Sequence, residues 1–123
     1  MTERDYKILV KILEKQKELS GMVKEFKIGH HDDLGKIHSA IRRGIIGFIA
    51  DIFELTKPLS DSTQKQLPLN RNIIKRFRDT SAHHYSVITN PTAHMCLMHC
   101  VDKAVMSAIK KLIQDYENDL KAL

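Results

Sequence analysis

The stretch LGKIHSAIRRGIIGFIADIFEL, residues 34–55, sets the fold class. Ile37, Ile41, Ile45, Phe48, Ile49 and Ile52 recur at i, i+3 and i+4, a wide apolar stripe that lies on one face of an α-helix. Gly44 and Gly47 sit inside that interval without ending it. Each costs about 1 kcal/mol relative to alanine in a helix, which a bend or a close helix–helix approach offsets. Lys57-Pro58 ends the helix, because the residue before a proline is pushed out of the α region.

The same periodicity extends in both directions. Residues 3–27 carry Tyr6, Leu9, Leu13, Met22, Val23 and Phe26 among charges, a first amphipathic helix that Ser20-Gly21 bends or weakens. A loop over 28–33 follows, with Asp32 or Asp33 as N-cap of the second helix. Ser60 or Asp61 caps a short helix through Gln66, closed by Pro68. A further helix runs from about Arg71 to His83. Asn90-Pro91 restarts the chain, with Asn as N-cap and Pro in the first turn. The last helix then reaches about Leu120, with Met95, Met98, Val101, Val105, Ala108, Ile109, Leu112, Ile113 and Tyr116 inward. Strand-like alternation, repeats and low-complexity runs are absent. The expectation is an all-α fold: one domain, residues 1–123, forming an antiparallel bundle of four main helices plus one short helix.

With 42% hydrophobic and 28% charged residues, a chain of 123 residues builds its own core without disulfide or metal. Charge interrupts every long apolar stretch and no charged start precedes an apolar run, so neither a membrane span nor a signal peptide is expected. The only cysteines, Cys96 and Cys100, are four apart on one helix and form no useful staple. A cytoplasmic protein is expected. The net charge is +5, and residues 64–79 alone hold five Lys/Arg against one Asp. That local surplus suits either a phosphate-rich partner or a solvated helix face.

The chemistry concentrates in NRNIIKRFRDTSAHHY, residues 70–85. Ile73, Ile74 and Phe77 can bury one helix face, while Arg71, Lys75, Arg76 and Arg78 crowd the other. Asp79, His83, His84 and Tyr85 come directly after. Arg78 and Tyr85, seven apart, share a face of a continuous helix, and His83 does not. One site using both Arg78 and His83 therefore needs the helix to stop near Ala82, or two copies of the chain.

Arg78-Asp79, four residues to His83, then x-Tyr85 resembles the signature of the HEPN superfamily, specifically the HepT-like toxins of prokaryotic toxin–antitoxin pairs. The family usually has Asn where this chain has Asp79. Ile52-Phe53-Glu54-Leu55 with Leu59-Ser60 is similar to the family's Ile-Gly-Glu-Ala…Leu-Ser segment, with Phe53 and Leu55 as mismatches. Leu67-Pro68-Leu69 sits where the family often has Pro-Trp, without the Trp. The likeness covers the chain from about Ile37 onward.

The resemblance implies a HEPN-like bundle and a metal-independent endoribonuclease with no cofactor, its sites formed across a homodimer cleft. Arg78 would hold the phosphate with its planar fork and His83 would act as acid or base, its unperturbed pKa being about 6.5. Asp79 would orient one of them, and Tyr85 would donate to the phosphate. Lys75, Arg76, Arg71 and His84 would bind the RNA substrate, and Glu54 would hold Arg78. The family's usual partner, a minimal nucleotidyltransferase antitoxin, can add AMP to the motif tyrosine, here Tyr85, and that charge would block the site. The same residues also admit a plain account: Arg78 pairs with Asp79 or Glu54, His83 caps the helix C-terminus, and Tyr85 packs on the last helix. Two further functions stay open, a non-catalytic HEPN partner of a nucleotidyltransferase and a helical dimer with a nucleic-acid-facing surface.

His94, Cys96, His99 and Cys100 have zinc-ligand identities, but one helix rarely closes a tetrahedron. The cysteines read as core fillers and His30-His31 beside Asp32-Asp33 as a solvated loop, so no metal is expected.

Overall fold

Thr2 Oγ1 accepts the Asp5 amide at 3.0 Å and opens α1, Glu3–Glu25. The computed structural model describes residues 1–81 and 87–123, and their α and 3-10 segments account for all regular structure among them. α1 passes through Ser20-Gly21 unbroken. It stops where Lys27 takes φ 55, with Lys27 N–H bonded to Lys24 O and Ile28 N–H to Val23 O, a left-handed C-terminal closure built without glycine.

The second helix starts later than its sequence suggests. Residues His31–Gly35 form a separate 3-10 turn capped by His30, and α2 is Ser39–Thr56 with His38 Nδ1 accepting the Ala40 amide at 3.0 Å. Neither Asp32 nor Asp33 caps α2. Asp33 Oδ2 instead accepts the Gly29 and His30 amides, both at 2.9 Å, and this local side-chain bonding winds the turn in place of the helix.

Ser60 precedes the short α3, Asp61–Lys65, without a side-chain cap bond, because its Oγ donates to Asp5 Oδ2 at 2.6 Å. Thr63 Oγ1 donates to the same oxygen at 2.8 Å and the Ser60 amide to Oδ1 at 3.1 Å. Asp5 is thereby buried and saturated, tying the start of α1 to α3.

α4 spans Arg71–Ser81 and α5 Asn90–Cys100, the latter capped by Thr89 in place of Asn90, with the proline in its first turn. The expected single helix to Leu120 is two helices. Asp102 Oδ2 accepts the Ala104 and Val105 amides at 3.0 and 3.1 Å and starts α6, Lys103–Lys121. Gln16, fully buried on α1, donates from Nε2 to the Cys100 carbonyl at 2.8 Å at that break. A carbonyl released by the broken helix thus gains a buried partner.

α2 packs against α1, α4 and α5, while α1 also packs against α6. Ile45, Ile49 and Ile52 of the expected stripe are buried, and Ile46 and Phe53 join them. The stripe widens because α2 has neighbours on more than one side. Phe53 meets Phe77 of α4 edge-on at 5.3 Å between centroids, an arrangement the ring quadrupoles favour. At the other end Tyr6 stacks on Tyr116 at 4.6 Å and donates to Glu117 Oε2 at 3.2 Å. No helix among the described residues is long and apolar enough to cross a membrane.

Candidate functional site

Asn70 starts the basic helix. Its Oδ1 accepts the Asn72 and Ile73 amides at 3.0 and 3.1 Å, and its own amide donates to His99 Nε2 at 3.1 Å. α4 is thus anchored to α5 at the point where the charged row begins. Ile74 and Phe77 are buried and Ile73 is half-buried. Arg71, Lys75 and Arg76 are exposed on the other side, and Arg78 is half-buried. Arg71 is held by a hydrogen bond to Gln64 Oε1.

Arg78 differs from its neighbours in what surrounds it. Its Nε is shielded from solvent and has no hydrogen-bond partner among the described residues. Glu54 Oε1 stands 3.9 Å away, and Lys57 Nζ lies closer to that oxygen, at 3.0 Å. Among the described residues the guanidinium otherwise makes one long bond, NH2 to Phe53 O at 3.5 Å. A guanidinium has five donors in a planar fork, so most of its capacity is unspent among the described residues. Its side chain retains 37% exposure, enough for an anion to reach it. Asp79 is exposed and forms no ion pair among the described residues. His83, His84 and Tyr85 lie outside the described residues.

No protein-family model, curated protein or solved structure matches this chain.

One further neighbour of the site carries a local signal, the i, i+3 spacing of Glu54 and Lys57. Lys57 competes for Glu54, three residues away at the end of α2. Arg42 reaches from α2 to the chain that follows the motif, donating through Nε to Asn90 Oδ1 at 2.8 Å and through NH2 to Ile88 O at 2.6 Å. Arg42 ties the start of α2 to Ile88 and the start of α5, and a pairing across 46–48 residues leaves no local signal.

Glu54 and Leu55 also line an open groove of about 410 Å³ with Lys11, Lys15 and Asp51. The cysteines are core: burial pushes Cys96 up to about 11 and Cys100 well above an ordinary thiol, so neither is a nucleophile near neutrality. Burial lowers His99, only partly offset by Asp102, which keeps it neutral and able to accept from Asn70.

Proposed function

We propose that this chain is a HEPN-like, HepT-type toxin: a metal-independent endoribonuclease acting as a homodimer and restrained by a minimal nucleotidyltransferase antitoxin. The observation that carries the reading is Arg78. It is an underused, half-exposed guanidinium at the end of a basic helix, five residues before His83 and seven before Tyr85. In the proposed reaction one imidazole or its partner copy removes the 2′-hydroxyl proton of RNA. The 2′-oxygen attacks the phosphorus, the 5′-oxygen leaves and takes a proton from the acid, and Arg78 binds the two non-bridging oxygens as charge builds. Glu54 positions Arg78, and Arg71, Lys75 and Arg76 hold flanking phosphates. AMP on Tyr85 would set a phosphate against the same cations and exclude substrate.

A second reading rests on Asp79, which puts a carboxylate where the HepT-like signature has Asn. It makes the chain a non-catalytic partner that presents targets to a nucleotidyltransferase. Expression in a bacterial host separates the two. The toxin reading predicts growth arrest relieved by R78A or by H83A, and by co-expression of the neighbouring nucleotidyltransferase. Unimpaired growth, with tight binding to that nucleotidyltransferase, favours the partner reading.

A further inference from the structure

The groove beside Arg78 is bordered by a second row of cations. Glu54, whose Oε1 stands 3.9 Å from Arg78 Nε, lines it from α2, and Lys11 and Lys15 line it from α1. Both of its carboxylates are engaged. Asp51 Oδ2 lies 3.5 Å from Lys15 Nζ, and Glu54 Oε1 lies 3.0 Å from Lys57 Nζ. In and beside the groove, Lys11, Lys15, Lys57 and Arg78 thus outnumber Asp51 and Glu54, four cations against two anions. Lys15 is also fixed in place, its Nζ lying over the Phe48 ring at 5.7 Å from the centroid.

The row continues toward the start of α1. Lys11 lines a second open hollow, of about 390 Å³, with Arg4, Lys7 and Ile8, and Glu3 on its edge pairs with Lys7 at 3.4 Å. Positions 4, 7, 11 and 15 follow steps of three and four, so their side chains share one helix face. They cover about 16 Å of helix. Helix electrostatics gives no reason for the first of them, since the first turn favours negative charge and Arg4 stands there. Exposed Glu18, one turn after Lys15, ends the row.

We propose that this face of α1 is a phosphate track for single-stranded RNA that leads across the end of α2 to Arg78. It rests on the reading of the chain as one that acts on RNA, and adds how the strand is held. One file of cations along a groove matches one phosphate backbone. Lysines meet phosphates as point charges and read no base edge, so the track lends affinity without sequence preference. Lys11 and Lys15 bind the strand beside the reacting phosphate, and Lys7 and Arg4 extend the hold.

Anisotropy titrations of the full chain with a labelled 2′-O-methyl oligonucleotide, which has no 2′-hydroxyl to attack, read binding apart from cutting. K11A/K15A is expected to bind about tenfold or more weakly at about 0.1 M salt, and to lose about 1.4 from the slope of log affinity against log salt. K7A, at a side chain 69% exposed, loses about 0.7. K110A/K111A, the same charge change at exposed positions of α6, keeps the parent slope. On cleavable RNA, K11A/K15A raises KM and leaves kcat within about twofold. No binding by the parent chain, or equal binding by K11A/K15A and K110A/K111A, overturns the track, and cutting by the parent chain then leaves the ribonuclease reading standing. Weaker binding by K11A/K15A with no cutting by the parent chain upholds the track and removes the cleavage.

Discussion

Glu54 Oε1 lies 3.9 Å from Arg78 Nε, and this approach joins the end of α2 to the charged face of α4. It is too long for a strong hydrogen bond, and Lys57 shares the carboxylate. Glu54→Ala should therefore leave stability within about 1 kcal/mol, the usual range for exposed pairs. A residue that positions Arg78 should nonetheless matter to the reaction. RNA cleavage by Glu54→Ala is expected to fall about tenfold, about 1.4 kcal/mol of barrier, with RNA affinity little changed. A cleavage rate equal to that of the parent chain would remove Glu54 from the site.

The Asn70–His99 bond makes the start of α4 sensitive to acid. His99 accepts through Nε2, and burial holds its pKa below the ordinary value. The unfolded chain takes up the proton at about pH 6.5, while the folded chain resists. The stabilisation is thus whole above that pH and is lost as pH falls from there through the folded pKa. His94 is shifted the same way and contributes the same sign. Urea midpoints at neutral and mildly acidic pH should drop for the parent chain and drop less for His99→Gln, which keeps an acceptor. Equal drops would mean that His99 is uncoupled from folding.

Asp5 should be the costliest polar residue to alter. Burial alone would raise its pKa, but hydrogen bonds from Ser60, Thr63 and Thr2 outweigh it and hold the carboxyl below its ordinary value. Its contribution is full above about pH 4 and disappears as pH falls through the folded pKa. Asp5→Asn is expected to cost about 3 kcal/mol, since charged hydrogen bonds are lost in a buried place. Urea denaturation measures it, and a change below about 1 kcal/mol would show that the network rearranges freely.

Lys27 holds a left-handed backbone that glycine adopts without strain. Lys27→Gly should raise stability by about 0.5–1 kcal/mol, seen as a higher urea midpoint at unchanged slope. A lower midpoint would contradict this account of the α1 terminus.

Helix identity was legible wherever apolar residues recurred at helical spacing, and α2 and α4 bury the faces their sequences mark. The breaks were harder to read. Apolar periodicity runs from Met95 through Tyr116, yet Asp102 splits it by capping two amides, and Gln16 supports the split from a helix over eighty residues away. Asp33 turns a helix start into a 3-10 turn by a comparable local competition. At the candidate site the cations of α4 follow from spacing, whereas Glu54 as a holder of Arg78 is what the family resemblance implies. Lys57 is an i, i+3 neighbour of Glu54, whereas the ties of Arg42 to Ile88 and Asn90 emerge only from tertiary geometry. Asp5 shows no sign of its burial in the sequence, because a single buried carboxylate leaves no periodic mark.

The most direct measurement is cleavage of RNA by the purified chain in the presence of EDTA, with R78A, H83A and R76A alongside. The account predicts cutting that persists in chelator, falls at least about 100-fold in R78A and in H83A, and falls less than about tenfold in R76A, which only steadies a flanking phosphate. Equal, modest losses in R78A and R76A, or no cutting by the parent chain, would contradict it.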